Sequence, residues 1–298
     1  MSSFPQIPTG FSITGGIPTR SQDLAASIIF IIAYVCLIPL AVWRLASKAS
    51  RSTTMIRPAI FVLVRTATYI MRAVQSTGNY SETLFIVEQV FLLAGFPIIC
   101  EAILSLLEYH ITRTHTSPKQ GQITQRVCRL LRLALLAALV VGIVAGTQMS
   151  DAITDPSTAP ELRALRNANA ALCLAIVLGV IVVVLFAQFH KNLPIQPTIL
   201  LVFMAGCLTI AGAYRLALIH STSPPLAIST KAKFYILLAL MEWLVTASLF
   251  VVNARVVFAE DLAKEKKKAA KEGRPVQEYA MQEGSPTQQE HKDPYASA

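Results

Sequence analysis

The stretch RPAIFVLVRTATYIMRAVQSTGNYSETLFIVEQVFLLAGFPIICE, from Arg57 to Glu101, contains two apolar runs of bilayer length that carry charges a lipid-facing helix should not have. In the first run, Phe61-Val62-Leu63-Val64 is followed by Arg65, Thr68, Tyr69 and Arg72. A short loop with Asn79-Tyr80-Ser81 leads into the second run, which holds Glu88, Pro97 and Glu101. A charge at the centre of a membrane helix costs about 2.5–3.5 kcal/mol on insertion scales, so it faces a partner helix or a wet cavity. These two runs identify a membrane-spanning chain and nominate its first site residues.

The whole chain agrees. Its 298 residues are 54% hydrophobic and only 14% charged, and the mean hydropathy is +0.54. Such a composition is too apolar for an ordinary soluble domain. Spans of roughly 20 apolar residues fall at about 24–44, 55–75, 83–107, 128–149, 167–189, 197–219 and 234–257. The prediction is an all-α polytopic membrane protein with seven transmembrane helices. Residues 1–23, rich in Ser, Pro, Gly and Thr, read as a lead-in without the charged start and short apolar core of a signal peptide. Residues 24–257 form the transmembrane domain, and 258–298 a basic and then disordered tail with Ser285 and Thr287 as phosphorylation candidates. All five cysteines lie inside or beside predicted spans, where they act as small apolar residues and imply no disulfide framework.

Lys and Arg concentrate in cytoplasmic loops. Arg44, Lys48, Arg51 and Arg57 border the first loop, Arg113, Lys119, Arg126 and Arg129 the third, and Lys264, Lys266, Lys267, Lys268, Lys271 and Arg274 fill the tail. The expected orientation is N-terminus outside and C-terminus inside. Asn79-Tyr80-Ser81 then becomes an N-glycosylation acceptor in an outer loop. The Lys264–Lys271 cluster reads either as a topology signal or as a binder of anionic inner-leaflet lipids, worth about 1 kcal/mol per lysine.

Arg65 and Arg72, seven positions apart, share one helix face with Thr68 and Tyr69. Arg65 lies near the midplane, whereas Arg72 is close enough to the outer edge to snorkel. Glu88 falls between their depths on the next helix and is the evident counter-charge. Glu101 and Glu108 approach the inner face, where solvated or interfacial carboxylates are the simple reading. Pro97 either kinks the third span and frees a backbone carbonyl or is accommodated by packing. The sixth and seventh spans echo the second and third: Arg215 lies near an outer helix end, and Glu242 descends from the outer surface on the following helix. Arg65, Arg72, Glu88, Arg215 and Glu242 are thus the candidate site, either an architectural clasp or a polar site for an amphiphile headgroup.

Several of these residues also carry a resemblance. Gly15-Gly16-Ile17-Pro18-Thr19, the Arg65 to Arg72 helix, Leu93-Ala94-Gly95, Arg215, and Lys233-Phe234-Tyr235 with Glu242 resemble an uncharacterised fungal family of seven-span membrane proteins, a domain of unknown function. The chain is more distantly similar to the fungal RTA-type lipid-translocating exporters, in which an Arg-ended helix, an outer loop and a Phe-Tyr-led last helix recur. The resemblance covers roughly 15–257 and implies a fungal protein of the plasma membrane or another secretory-route membrane that handles a lipid or amphiphile.

Other classes find less in the sequence. A seven-span receptor-like sensor fits the count and orientation, but the third span ends Leu107-Glu108-Tyr109-His110 without an Asp-Arg-Tyr triplet, and the seventh lacks Asn-Pro-x-x-Tyr. The five histidines are scattered with no carboxylate or second histidine at metal spacing, so no metal, cofactor or enzymatic activity is expected. The net charge of +9 follows from topology and tail, and nucleic-acid binding is not expected. The expected partners are the lipid bilayer and an amphiphilic small molecule.

Overall fold

The structure, a computed structural model, describes residues 13–113, 118–191, 193–221, 224 and 226–272. The expected disordered tail with Ser285 and Thr287, and loop residue His115, lie outside the described residues. Among the described residues the chain is helical with no strand. Seven helices are long and apolar enough to cross a membrane: α1 (Arg20–Ala46), α2 (Thr53–Ser76), α3 (Glu82–Thr112), α4 (Gln122–Thr147), α5 (Ala159–His190), α6 (Ile195–Ile219) and α7 (Ile228–Val251). An odd number of crossings puts the start of α1 and the end of α7 at opposite ends of the bundle, called here the N-terminal and tail ends.

α3 is the hub. Within its most apolar window 72% of residues are buried, against 22% for α1 and for α4. The sequence explains this: α3 has Glu88, Gln89, Ser105, Glu108 and His110 distributed around its circumference, so no face of it can meet lipid. It packs against α2, α4, α5 and α6. α2 is an inside-out amphipathic helix. Phe61, Arg65, Thr68, Tyr69, Arg72 and Gln75 are buried, while Ile60, Leu63, Ile70 and Val74 are exposed on the opposite side. With a bilayer as solvent, that is the arrangement expected for a helix whose polar stripe seeks protein.

Proline and chain-end chemistry set the breaks. α1 is interrupted at Cys36, three residues before Pro39, whose missing N–H leaves the Val35 carbonyl without a helix donor. α7 ends at Val251, because Val252 turns extended. Arg44 closes that end by donating to the carbonyls of Phe250 (2.8 Å) and Val251 (2.6 Å), a cation on the negative end of a helix. The expected span to residue 257 is therefore two pieces, and the basic segment does not continue α7. After Ala259, at φ 47°, α8 (Glu260–Glu272) folds back beneath α3 and α4.

α8 docks through its basic residues. Lys267 Nζ lies 2.8 Å from Glu108 Oε1 and over the Tyr109 ring, and Lys266 Nζ donates to the Arg113 carbonyl at 2.6 Å. Burial and the neighbouring Arg113 charge push the Lys266 ammonium below its ordinary range. Arg132 reaches the other oxygen of Glu108 at 2.5 Å. Glu108 is 2% exposed, which corrects the solvated reading: two partly exposed cations cover it. Glu101 fits the interfacial reading, half-exposed and 2.7 Å from Arg57.

Candidate functional site

The buried stripe of α2 faces α3, α7 and the segment before α1, and there the predicted site residues come together. Arg65 is fully buried and forms a two-point ion pair with Glu242 of α7: Nε to Oε2 and Nη2 to Oε1 are both 2.7 Å. Its Nη1 donates to the Phe91 carbonyl of α3 at 2.8 Å. Such fork-to-carboxylate geometry is the strongest arrangement a guanidinium has, and here both charges have left solvent completely. Room for the guanidinium comes from Gly95, where a Cβ would sit 3.0 Å from Arg65 Cζ.

Arg72 lies two turns nearer the N-terminal end. It is 0% exposed, and snorkelling is thereby excluded: two carboxylates and a main-chain carbonyl hold it inside. Nη1 meets Glu88 Oε1 at 2.8 Å, Nη2 meets Asp23 Oδ1 at 2.9 Å, and Nη2 also donates to the Gly15 carbonyl. Gln75 donates to the second Glu88 oxygen at 2.6 Å. Asp23, in the first turn of α1, is further paired with Lys231 at the start of α7 and accepts from the Tyr235 hydroxyl at 3.0 Å. The Arg72 guanidinium lies over the Phe234 ring at 4.7 Å. Phe234 opens a π-helical stretch, Phe234–Leu240, between Lys231 and Glu242, a local widening of the kind found at functional sites.

Arg215 does not join this network. The helix pairs echo each other in sequence, but Glu242 is turned to Arg65. Among the described residues no carboxylate lies within ion-pair distance of Arg215, although it is 4% exposed. Its Nη2 donates to the Leu93 carbonyl at 3.3 Å, its face covers the Phe96 ring at 4.8 Å, and its Nη1 has no acceptor. The Leu93 carbonyl is available because Pro97, four residues on, has no N–H to give it. Pro97 thus frees a backbone acceptor inside a helix that continues without a break from Glu82 to Thr112.

The segment Ile13–Thr19 caps the cluster. Ile13 packs with Phe85, Leu93, Met149 and Leu162. Gly15 and Gly16 adopt φ of 80° and 67°, and a Cβ on Gly15 would lie 2.8 Å from Arg72 Nη1. Only glycine meets both demands. Thr14 receives two donors, Gln89 Nε2 on its carbonyl and Arg166 Nη2 on its hydroxyl, each at 3.3 Å.

The structure thus brings together Arg65, Arg72, Glu88 and Glu242 of the expected residues, and adds Asp23, Gln75, Lys231 and Tyr235, which sequence reasoning misses. Asp23 falls just outside the expected first span, and Lys231 reads as a loop charge. The signal that would have found Asp23 is its position in the first turn after Thr19, where an acidic residue suits a helix start. Asn79 stands apart, exposed in the loop between α2 and α3. Among the described residues no group of three His, Cys, Asp or Glu side chains is placed to hold a metal ion.

No curated protein matches this chain. A family defined as a domain of unknown function (DUF7702) matches residues 20–197, which takes in α1 to α5 and so the Asp23, Arg65, Arg72 and Glu88 part of the network. The match covers more than half of the sequence, and the chain belongs to the DUF7702 family.

Proposed function

We propose that this seven-span protein is a non-enzymatic binder or translocator of a lipid-like amphiphile with one anionic headgroup, and that Arg215 receives the headgroup. One observation carries the reading: Asp23, Glu88 and Glu242 are matched by Lys231, Arg72 and Arg65, and Arg215 has no carboxylate of its own. An uncompensated guanidinium away from water costs several kcal/mol. A bound monoanion would remove that cost and satisfy the open Nη1. On this reading Arg65, Arg72, Glu88 and Glu242 are the clasp that holds α1, α2, α3 and α7 around the site.

The N-terminal end faces outward, Asn79 is reachable for glycosylation there, and exposed Lys264 and Lys268 attract anionic lipid at the inner leaflet. Kinship with RTA-type lipid-translocating exporters, fungal origin and a secretory-route membrane accompany this reading.

The test is movement of fluorescent phosphatidylglycerol and phosphatidylcholine in proteoliposomes, for wild type and Arg215→Gln. Several-fold faster phosphatidylglycerol movement than in protein-free vesicles, lost in folded Arg215→Gln, is expected. Equal rates for both proteins would remove Arg215 from the mechanism.

A further inference from the structure

The tail end of the bundle carries a cleft of about 610 Å³, a volume in the range of small-molecule sites. Lys48, Arg255 and Asp261 supply its charges, and Val256, Ala259 and Leu262 its apolar wall. Lys48 lies just beyond α1, which ends at Ala46, and Arg255 just beyond α7, which ends at Val251. The cleft is therefore at the depth where a bilayer changes from acyl chain to headgroup. Trp43, exposed in the last turn of α1, and Val256, 69% exposed on the cleft wall, mark that boundary.

Backbone geometry sets both walls. On one side the Ser50 and Arg51 N–H groups close a turn on the Ser47 carbonyl, at 3.1 and 2.8 Å, and Lys48 sits in that turn. On the other, Ala259 reverses the chain at φ 47°, a left-handed conformation that a residue with a Cβ adopts only at a cost. Arg255 links the two: its Nε meets Asp261 Oδ2 at 2.8 Å, and its Nη1 donates to the Lys48 carbonyl at 2.6 Å. Three polar atoms keep their binding capacity. Among the described residues, Arg255 Nη2, Lys48 Nζ and Asp261 Oδ1 make no hydrogen bond or ion pair.

This pattern selects a ligand of mixed charge. A simple anion would gain the two cations but meet the Asp261 carboxylate, and a simple cation would meet the reverse. A phosphate suits the lysine and arginine. An ammonium that still carries N–H groups suits the free carboxylate oxygen, whereas a quaternary ammonium has no N–H to donate.

We propose that the cleft binds a phospholipid whose headgroup joins a phosphate to a primary ammonium. Lys48 Nζ and Arg255 Nη2 hold the phosphate, Asp261 Oδ1 accepts from the ammonium, and Val256 and Leu262 meet the apolar part of the lipid. The site is at the other end of the bundle from Arg215 and does not depend on the reading of that residue.

Equilibrium binding of lysophosphatidylethanolamine, lysophosphatidylcholine and lysophosphatidylglycerol to the full chain in neutral detergent tests it, for wild type, Asp261→Asn, Lys48→Gln and Arg215→Gln. Asp261 and Lys48 are exposed, and matching unfolding temperatures show that their variants are folded. Wild type should bind lysophosphatidylethanolamine several-fold more tightly than lysophosphatidylcholine. Asp261→Asn should erase that preference, Lys48→Gln should weaken both, and Arg215→Gln should leave the preference unchanged. Equal affinity for the two lysolipids in wild type, or a preference that survives in Asp261→Asn, would overturn the proposal. So would binding of lysophosphatidylglycerol that Lys48→Gln weakens and Asp261→Asn strengthens without any ethanolamine preference, which would make the cleft a plain anion site. Competition by O-phosphoethanolamine as effective as by the lysolipid would overturn the lipid and keep the headgroup chemistry.

Discussion

Arg65 and Glu242, 177 positions apart in sequence, share a two-point ion pair with both contacts at 2.7 Å and neither side chain exposed. The pair joins the middle of α2 to α7. Removing one partner of such a buried pair strands a charge and costs about 3–5 kcal/mol, whereas removing both can be near neutral. Glu242→Leu should therefore lower stability by that amount in detergent unfolding. Arg65→Leu/Glu242→Leu should recover most of it, a non-additivity diagnostic of direct coupling. Additive losses would mean that the two residues act separately.

Gly95 gives the same pair its space. A Cβ there would press on Arg65 Cζ at 3.0 Å, whereas one at Gly206 would meet nothing within 4 Å. Gly95→Ala should cost about 1–3 kcal/mol by overpacking. Gly206→Ala should be neutral or gain up to about 1 kcal/mol from helix propensity. Unfolding midpoints of the two variants read the difference directly, and equal midpoints would count against a tight Arg65 seat.

At the tail end, Glu108 is the anchor for α8, held between Arg132 and Lys267. Glu108→Gln should leave both cations without a charged partner, cost about 1–3 kcal/mol, and raise cleavage within Glu260–Glu272 several-fold in limited proteolysis. Unchanged cleavage would assign docking to the Lys266–Arg113 contact instead.

The fold was legible because a bilayer imposes one length and one polarity rule on every span, and seven apolar runs obey them. The central role of α3 follows from polar residues all round it, and the inward stripe of α2 from the spacing of Arg65 and Arg72. Helix ends were less legible. Where α5 begins or α7 stops depends on caps such as Arg44 on the Phe250 and Val251 carbonyls, and these come from residues some 200 positions away. The network was half legible for the same reason. Opposite charges at matching depth suggest Arg72 with Glu88, but depth cannot tell whether Glu242 rotates toward Arg65 or Arg215. Nor does the sequence reveal that Gly15, read as part of the lead-in, places its carbonyl on an arginine.

Arg215 is where the account is most exposed to test, and equilibrium binding of lysophosphatidylglycerol and lysophosphatidylcholine to purified protein in neutral detergent is the direct measurement. Wild type should prefer the anionic lysolipid by about tenfold or more, equivalent to about 1.4 kcal/mol, and Arg215→Gln should bind the two alike while unfolding at a similar temperature. Indifference of the wild type to headgroup charge, or a preference that survives in Arg215→Gln, would contradict the claim that this arginine waits for an anion.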